Sequence, residues 1–385
     1  MSYLFPTYQR WEVEPASASG SRITGTDGKE YLDFTSGIGV CNLGHRPKQV
    51  EEAVAKQLDS FWHVSNLFPQ HVQEQAAQLL GTAAGLDCVF FANSGAEANE
   101  AALKLARKAT GRSKVISFIK SFHGRTFATM AATGQDKIKT GFGPMLETFI
   151  HLPFNDTKAL MDEIDKDTAA VILEIIQGEG GINVASEVFL KTVEEACKQN
   201  GALLIIDEIQ TGIGRTGKPF AFHHFGINPD IITVAKGLGS GLPIGAVVAK
   251  SGLREVFGPG SHGSTFGGNP ISTAAAVATM ETIFQPSFLK EVSARGEYLI
   301  EQAETALSGF EDVKEIRGLG LMAGIEVAGS AMPILAEVRS QGLLVLPAGE
   351  NVIRLLPPLN ITREEINEAI QLLAQTMKNF AAATI

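Results

Sequence analysis

Short apolar runs alternate with stretches whose apolar residues recur every three or four positions. Helical spacing covers Arg46 to Trp62, Val72 to Ala84, Ala96 to Ala109 and Val188 to Gln199. Between them lie strand-like runs: Cys88 to Phe91, Val115 to Ile119, Ala169 to Ile176, Ala202 to Ile206, Ile231 to Ala235 and Gly245 to Ala249. Several are apolar throughout, the pattern of strands covered on both faces. This alternation predicts a mainly parallel α/β core from about residue 60 to about 255. The pattern then changes. Pro270 to Phe284 and Phe288 to Leu307 read as long helices, and Leu321 to Val327, Leu343 to Leu346 and Val352 to Leu356 as strands. A last helix opens with Thr362 and Glu365 at capping-box spacing. Lys29 to Phe34 reads as a short strand. The expected organisation is an N-terminal segment (1–45) packing with a small domain, a large domain (46–289) and a C-terminal small α+β domain (290–385).

Composition narrows the class. With 385 residues, 44% hydrophobic and 19% charged, the chain can bury a large core, which excludes intrinsic disorder. The net charge of −10 argues against a nucleic-acid partner. The best apolar run, Ala169 to Ile176, contains Glu174 and is far shorter than the roughly 20 residues of a membrane span. Cys41, Cys88 and Cys197 are widely spaced, with no CxxC or Cys/His cluster for a metal. Met1 to Arg10 has no basic region followed by an apolar stretch. The expectation is a reduced, cytoplasmic protein with no metal site. The 40 glycines are conspicuous, many beside charged or hydroxyl residues.

Four constellations carry candidate chemistry. Asn93-Ser94-Gly95-Ala96-Glu97-Ala98-Asn99 stands at a strand-to-helix junction, where unpaired N–H groups and the helix dipole favour an anion such as phosphate. An ordinary N-cap by Asn93 or Ser94 explains the same residues. Asp207-Glu208-Ile209-Gln210 emerges from a buried strand, at the sheet edge where ligands of α/β folds bind. Lys236 follows another strand and precedes Gly237 and Gly239; burial there frees its amine as a nucleophile. Those glycines are expected to leave room for a planar ligand. Phe122-His123-Gly124-Arg125 puts an aromatic face, an imidazole and a carboxylate-binding guanidinium on one loop. His223 and His224 read as structural or surface residues.

A phosphate loop, an aromatic plate, an acid and an imine-forming lysine are the protein parts that a pyridoxal phosphate site needs. With these motifs, and with Tyr31-Leu32-Asp33-Phe34, Leu43-Gly44-His45, Gln177-Gly178-Glu179-Gly180-Gly181 and Arg354-Leu355-Leu356-Pro357-Pro358-Leu359, the whole chain resembles the class III (ω-) aminotransferases. These are fold-type I pyridoxal-phosphate enzymes; within them it is most similar to the acetylornithine group. One departure is Glu174-Ile175, where many relatives have Glu-Pro; Ile175 suits a strand.

The resemblance implies roles. Lys236 holds pyridoxal 5'-phosphate covalently and then moves the proton as general base and acid. Asp207 pairs with the pyridinium nitrogen, Gln210 with the phenolic oxygen, and Phe122 stacks on the ring. Ser94, Gly95 and Ala96 hold the phosphate. Thr265 reaches it from a neighbouring subunit, which implies a homodimer with shared active sites. Arg125 and Ser264 bind the acylated amino acid, and Arg354 binds the α-carboxylate of glutamate or 2-oxoglutarate. Glu179 masks Arg354 while the terminal amine of the first substrate reacts. The implied reaction moves that amine from N2-acetylornithine to 2-oxoglutarate, a step of arginine biosynthesis. The same core serves ornithine, succinylornithine, succinyldiaminopimelate and 4-aminobutyrate donors. An aminomutase or racemase on this scaffold, or a non-enzymatic nucleotide-binding module, stands further off.

Overall fold

The computed structural model describes residues 3–383. The outermost residues of the expected segments 1–45 and 290–385 lie outside this range. At the centre is a seven-stranded sheet: β1 (Cys88–Ala92), β2 (Lys114–Phe118), β3 (Phe149–Leu152), β4 (Thr168–Glu174), β5 (Leu203–Asp207), β6 (Ile231–Val234) and β7 (Gly245–Ala249). Its order is β1-β7-β6-β5-β4-β2-β3. All adjacent pairs are parallel except those of β7, which runs against both neighbours. Every residue of β4, β6 and β7 is buried, and this is why those strands read as predominantly apolar runs rather than alternating ones.

Most expected elements stand within two residues of their predicted bounds. The helix after β1 spans Gly95–Thr110, capped by Ser94, whose hydroxyl accepts from Glu97 N at 3.2 Å. The helix Pro270–Ile283 is buried nearly all round, so it carries no polar face. The closing helix, Arg363–Ala383, opens with the expected reciprocal cap: Thr362 N donates to Glu365 at 2.9 Å, and Glu365 N to the Thr362 hydroxyl at 3.2 Å.

Two apolar runs are not single strands. Ala169 to Ile176 breaks at Ile175: β4 ends at Glu174, and Ile176–Gln177 pairs in a separate small hairpin with Asn183–Val184. Leu343 to Leu346 breaks at Val345. Leu343–Leu344 joins the N-terminal strand Glu30–Asp33 in parallel, while Leu346–Ala348 runs antiparallel to Val352–Leu355. A continuous apolar run shows that a segment is buried, not which sheet it enters. Val313–Leu319 was not legible as a strand, because it is a half-exposed edge carrying Lys314, Glu315 and Arg317.

The N-terminal strands Pro15–Ser19, Arg22–Gly25 and Glu30–Asp33 form an antiparallel set completed by Leu343–Leu344. Arg215 lies on the loop after β5 and is fully buried. It donates to Leu321 O, Pro357 O and Asn42 Oδ1 at 3.0, 2.5 and 2.7 Å, tying that loop to the C-terminal part and the N-terminal segment.

Candidate active site

β5 and β6 run in parallel and deliver Asp207 and Lys236 to the same edge of the sheet. There a cavity of about 430 Å³ opens. Its lining includes Ser94, Gly95, Ala96, Phe122, Arg125, Glu179, Asp207, Gln210 and Lys236, so nine expected residues from five separate segments converge. Lys236 has a φ of 41°, a left-handed backbone rare for a residue with a Cβ, and such strain concentrates at functional positions. Burial lowers its pKa from the ordinary lysine range, which favours the neutral, nucleophilic amine.

Asp207 is almost fully buried and held by three donors. Asn99 Nδ2 and His123 Nδ1 reach Oδ2, each at 2.8 Å, and Ile209 N reaches Oδ1 at 3.0 Å. His123 Nε2 is buried and has no hydrogen-bond partner among the described residues. Neither Asn99 nor His123 was assigned a role from sequence, since their link to Asp207 depends on the fold. The Arg125 guanidinium lies 5.7 Å from the Phe122 ring centre.

Arg354 sits behind Glu179, 2% exposed, and pairs with it through two bonds, Nη1–Oε1 at 2.6 Å and Nη2–Oε2 at 3.1 Å. Burial alone would raise the pKa of Glu179; the charge of Arg354, with the hydrogen bonds from Arg354 and Gln210, outweighs it and holds the carboxyl at about 2. Gln210 touches both partners, donating to Glu179 at 3.2 Å and accepting from Arg354 at 3.0 Å. Ser264 lies outside the lining; its hydroxyl accepts from Asn93 Nδ2 at 3.1 Å and Gly267 N at 2.9 Å. Thr265 is exposed and does not line the cavity of its own chain.

The glycines need correction. A Cβ on Gly237 would fall 2.2 Å from Asn42 Nδ2, and one on Gly239 2.9 Å from Ile244 Cγ2. At these positions the space is taken by the chain itself, not left open for a ligand.

The pocket fits pyridoxal phosphate on its own evidence. It joins a buried lysine amine to a buried carboxylate and to a helix N-terminus whose first residues, Gly95 and Ala96, line the cavity. Fold and site together define a fold-type I, pyridoxal-phosphate-dependent enzyme. The chain belongs to the class-III aminotransferase family, whose model matches residues 6–377. It is 60% identical over 385 residues to an acetylornithine aminotransferase of Bacillus subtilis (strain 168), covering 99% of each chain. An ornithine aminotransferase of Toxoplasma gondii, solved with partial occupancy of PLP at its active site, superposes with a TM-score of 0.94 at 32% identity, over 99% of this chain and 93% of that one. An N-acetylornithine aminotransferase of Stenotrophomonas maltophilia K279a does so with a TM-score of 0.86 at 36% identity, over 98% of each.

Proposed function

We propose that the protein transfers the terminal amine of N2-acetylornithine to 2-oxoglutarate, giving N-acetylglutamate 5-semialdehyde and glutamate, in arginine biosynthesis. The observation that carries this reading is the Glu179–Arg354 pair beside Lys236. An ω-aminotransferase handles one substrate whose amine is remote from its α-carboxylate and another whose amine is adjacent to it. A cation that is masked for the first and released for the second separates the two.

Pyridoxal phosphate, when bound, supplies an electron sink for the carbon that carries the amine. Lys236 Nζ holds it and, unprotonated, accepts the proton from that carbon. Asp207 is placed to keep the ring nitrogen protonated, with Asn99 and His123 fixing its carboxylate. Phe122 lines the cavity as the aromatic plate, and Gln210 takes the phenolic oxygen. Ser94, Gly95 and Ala96 hold the phosphate at the helix N-terminus. Arg125 with Ser264 receives the α-carboxylate end of the acylated donor. Arg354 receives the α-carboxylate of 2-oxoglutarate after Glu179 swings away.

The same reading makes the enzyme a homodimer, with Thr265 completing the phosphate site of the other subunit. Support comes from Phe266, Trp62, Leu67 and Phe68, which are 58–90% exposed around Thr265 and Asn66, an apolar face that a second copy would cover. The division into 1–45, 46–289 and 290–385 is supported by the pairing of Glu30–Asp33 with Leu343–Leu344. A cytoplasmic location is supported by three free cysteines and by the lack, among the described residues, of a helix long and apolar enough to cross a membrane.

The test is a half-reaction. N2-acetylornithine alone, mixed with the loaded enzyme, should convert its visible absorbance to that of the pyridoxamine form. Conversion by ornithine or 4-aminobutyrate, but not by N2-acetylornithine at the same concentration, would overturn the assignment. Lys236→Ala should abolish the covalently held visible band.

A further inference from the structure

Glu174 is a buried carboxylate on the cavity wall to which neither the sequence nor the roles above give a task. It ends β4 and stands in register with Asp207 on β5. Among the described residues, no cation is hydrogen-bonded to it. Its two oxygens are instead used by two different loops: Oε1 accepts from Phe122 N at 2.7 Å, and Oε2 from Gly178 N at 2.9 Å. The first loop carries Phe122, His123 and Arg125; the second carries Glu179. The loops also abut nearby. Gln177 Nε2 donates to Ile119 O at 2.9 Å, and a Cβ on Gly180 would lie 2.3 Å from Lys120 O.

A carboxylate in this position is costly, because burial disfavours its charge. Burial does raise the pKa of Glu174, with Asp207 adding to the rise and His123 opposing it. A neutral amide would suit the site less well, since one of its two ends is a donor that would face an N–H. Only a carboxylate presents an acceptor to both loops at once.

We propose that Glu174 is a positioning residue that staples the loop of Phe122 to the loop of Glu179, so that the aromatic plate and the carboxylate gate are held as one unit. The proposal rests on the aminotransferase reading for its kinetic consequence, but not for the staple itself. Loosening the staple releases Phe122 and Glu179 together, although they serve different events. A purely structural carboxylate would, when removed, reduce the amount of folded enzyme and leave the Michaelis constants alone.

The experiment is amide hydrogen exchange on the full-length protein without substrate, read by mass spectrometry at fragment-level resolution, for wild type, Glu174→Gln and Glu174→Ala. In Glu174→Ala the amides of Phe122 and Gly178 should exchange about 10- to 100-fold faster, the range set by losing a hydrogen bond to a charged acceptor. In Glu174→Gln only one of the two should accelerate. The strands β4 and β5 should be unchanged in both. Unchanged exchange at Phe122 and Gly178, or equal acceleration across the strands, overturns the staple. Kinetically, both variants should change KM for 2-oxoglutarate as well as kcat. A fall in kcat with both KM values unchanged overturns the positioning role even where the enzyme proves to use another amine donor. Should Glu174→Ala fail to fold, Glu174→Gln alone decides between these outcomes.

Discussion

Removing the carboxylate of Glu179 leaves the Arg354 guanidinium in place, 2% exposed, with Gly178 O and Gln210 Oε1 as neutral acceptors at 2.8 and 3.0 Å. The lost contacts are two, at 2.6 and 3.1 Å. Two unit charges about 4 Å apart attract by ~4 kcal/mol at the effective dielectric of a site near the surface. The Glu179 side chain is 30% exposed, so solvent screens part of this. A net value of about 1.5–3 kcal/mol remains, which is roughly a 10- to 150-fold change in an equilibrium. On the roles proposed above, 2-oxoglutarate must displace Glu179 in wild type to reach Arg354. In Glu179→Ala it meets no competitor, whereas N2-acetylornithine meets an unmasked cation that draws its carboxylate to the wrong end. The ratio of kcat/KM for N2-acetylornithine to that for glutamate should therefore fall by about one to two orders of magnitude. Each half-reaction is assayed by itself, from the cofactor absorbance under single-turnover conditions. Glu179→Gln should show the same sign with a smaller change, because an amide oxygen still accepts from Arg354. An equal loss for both substrates would refute the masking argument.

Other consequences follow from buried groups away from the reacting centre. Glu208, fully buried, keeps its proton up to about 7, against 4.5 when exposed, because burial penalises its charge. The folded state thus binds more protons across that window, and this contribution to stability is present below 4.5 and lost as pH rises towards 7, by about 3 kcal/mol. Glu208→Gln can still accept from Phe222 N and donate to Thr211 Oγ1, so its stability relative to wild type should increase from pH 4.5 to pH 8; urea unfolding curves that stay parallel across that range would refute this. A Cβ on Gly296 would lie 2.4 Å from the backbone of Gly320, which has no side chain to yield, so Gly296→Ala should destabilise by roughly 1–3 kcal/mol in chemical denaturation. An unchanged midpoint would show that the helix Pro286–Leu307 and the Gly320 turn are free to separate. Arg215→Lys replaces a fork that serves three acceptors with a single ammonium, and should lower stability by about 2–4 kcal/mol while cofactor absorbance per folded molecule stays constant. Loss of the absorbance without loss of stability would place Arg215 in the cofactor site instead.

Much of the site was legible because each contributing motif is local. An N-cap residue, Asn93 or Ser94, declares a helix start, and an acid or a lysine closing an apolar run declares a strand end. What no local pattern shows is which strand ends lie side by side. Asn99 was one member of a helix-forming stretch and His123 one member of a loop until the sheet order brought both to Asp207. Glu174 registered as a charge interrupting an apolar run and as half of the Glu174-Ile175 departure, with no role attached. Its partners, Phe122 N and Gly178 N, are backbone groups that carry no trace in sequence. The glycines show the opposite case, a clear signal with a misread cause. A small residue marks a close approach, and only the packing tells whether the approaching atom belongs to a ligand or, as at Gly237 with Asn42, to the chain.

The sequence by itself determined the elements and their chemistry: burial makes short apolar runs into strands, and caps set where helices begin. It also determined the residue types that a pyridoxal phosphate site needs. The tertiary structure decided the reversed direction of β7, the split of Leu343 to Leu346 between two sheets, and the further contacts of Arg354 with Gln210 and Gly178 O. Each of these is a choice of partner between segments far apart in the chain. A buried strand is equally apolar in either direction, and a buried arginine needs an acceptor without specifying which one, so the choice falls to the packing of the whole molecule.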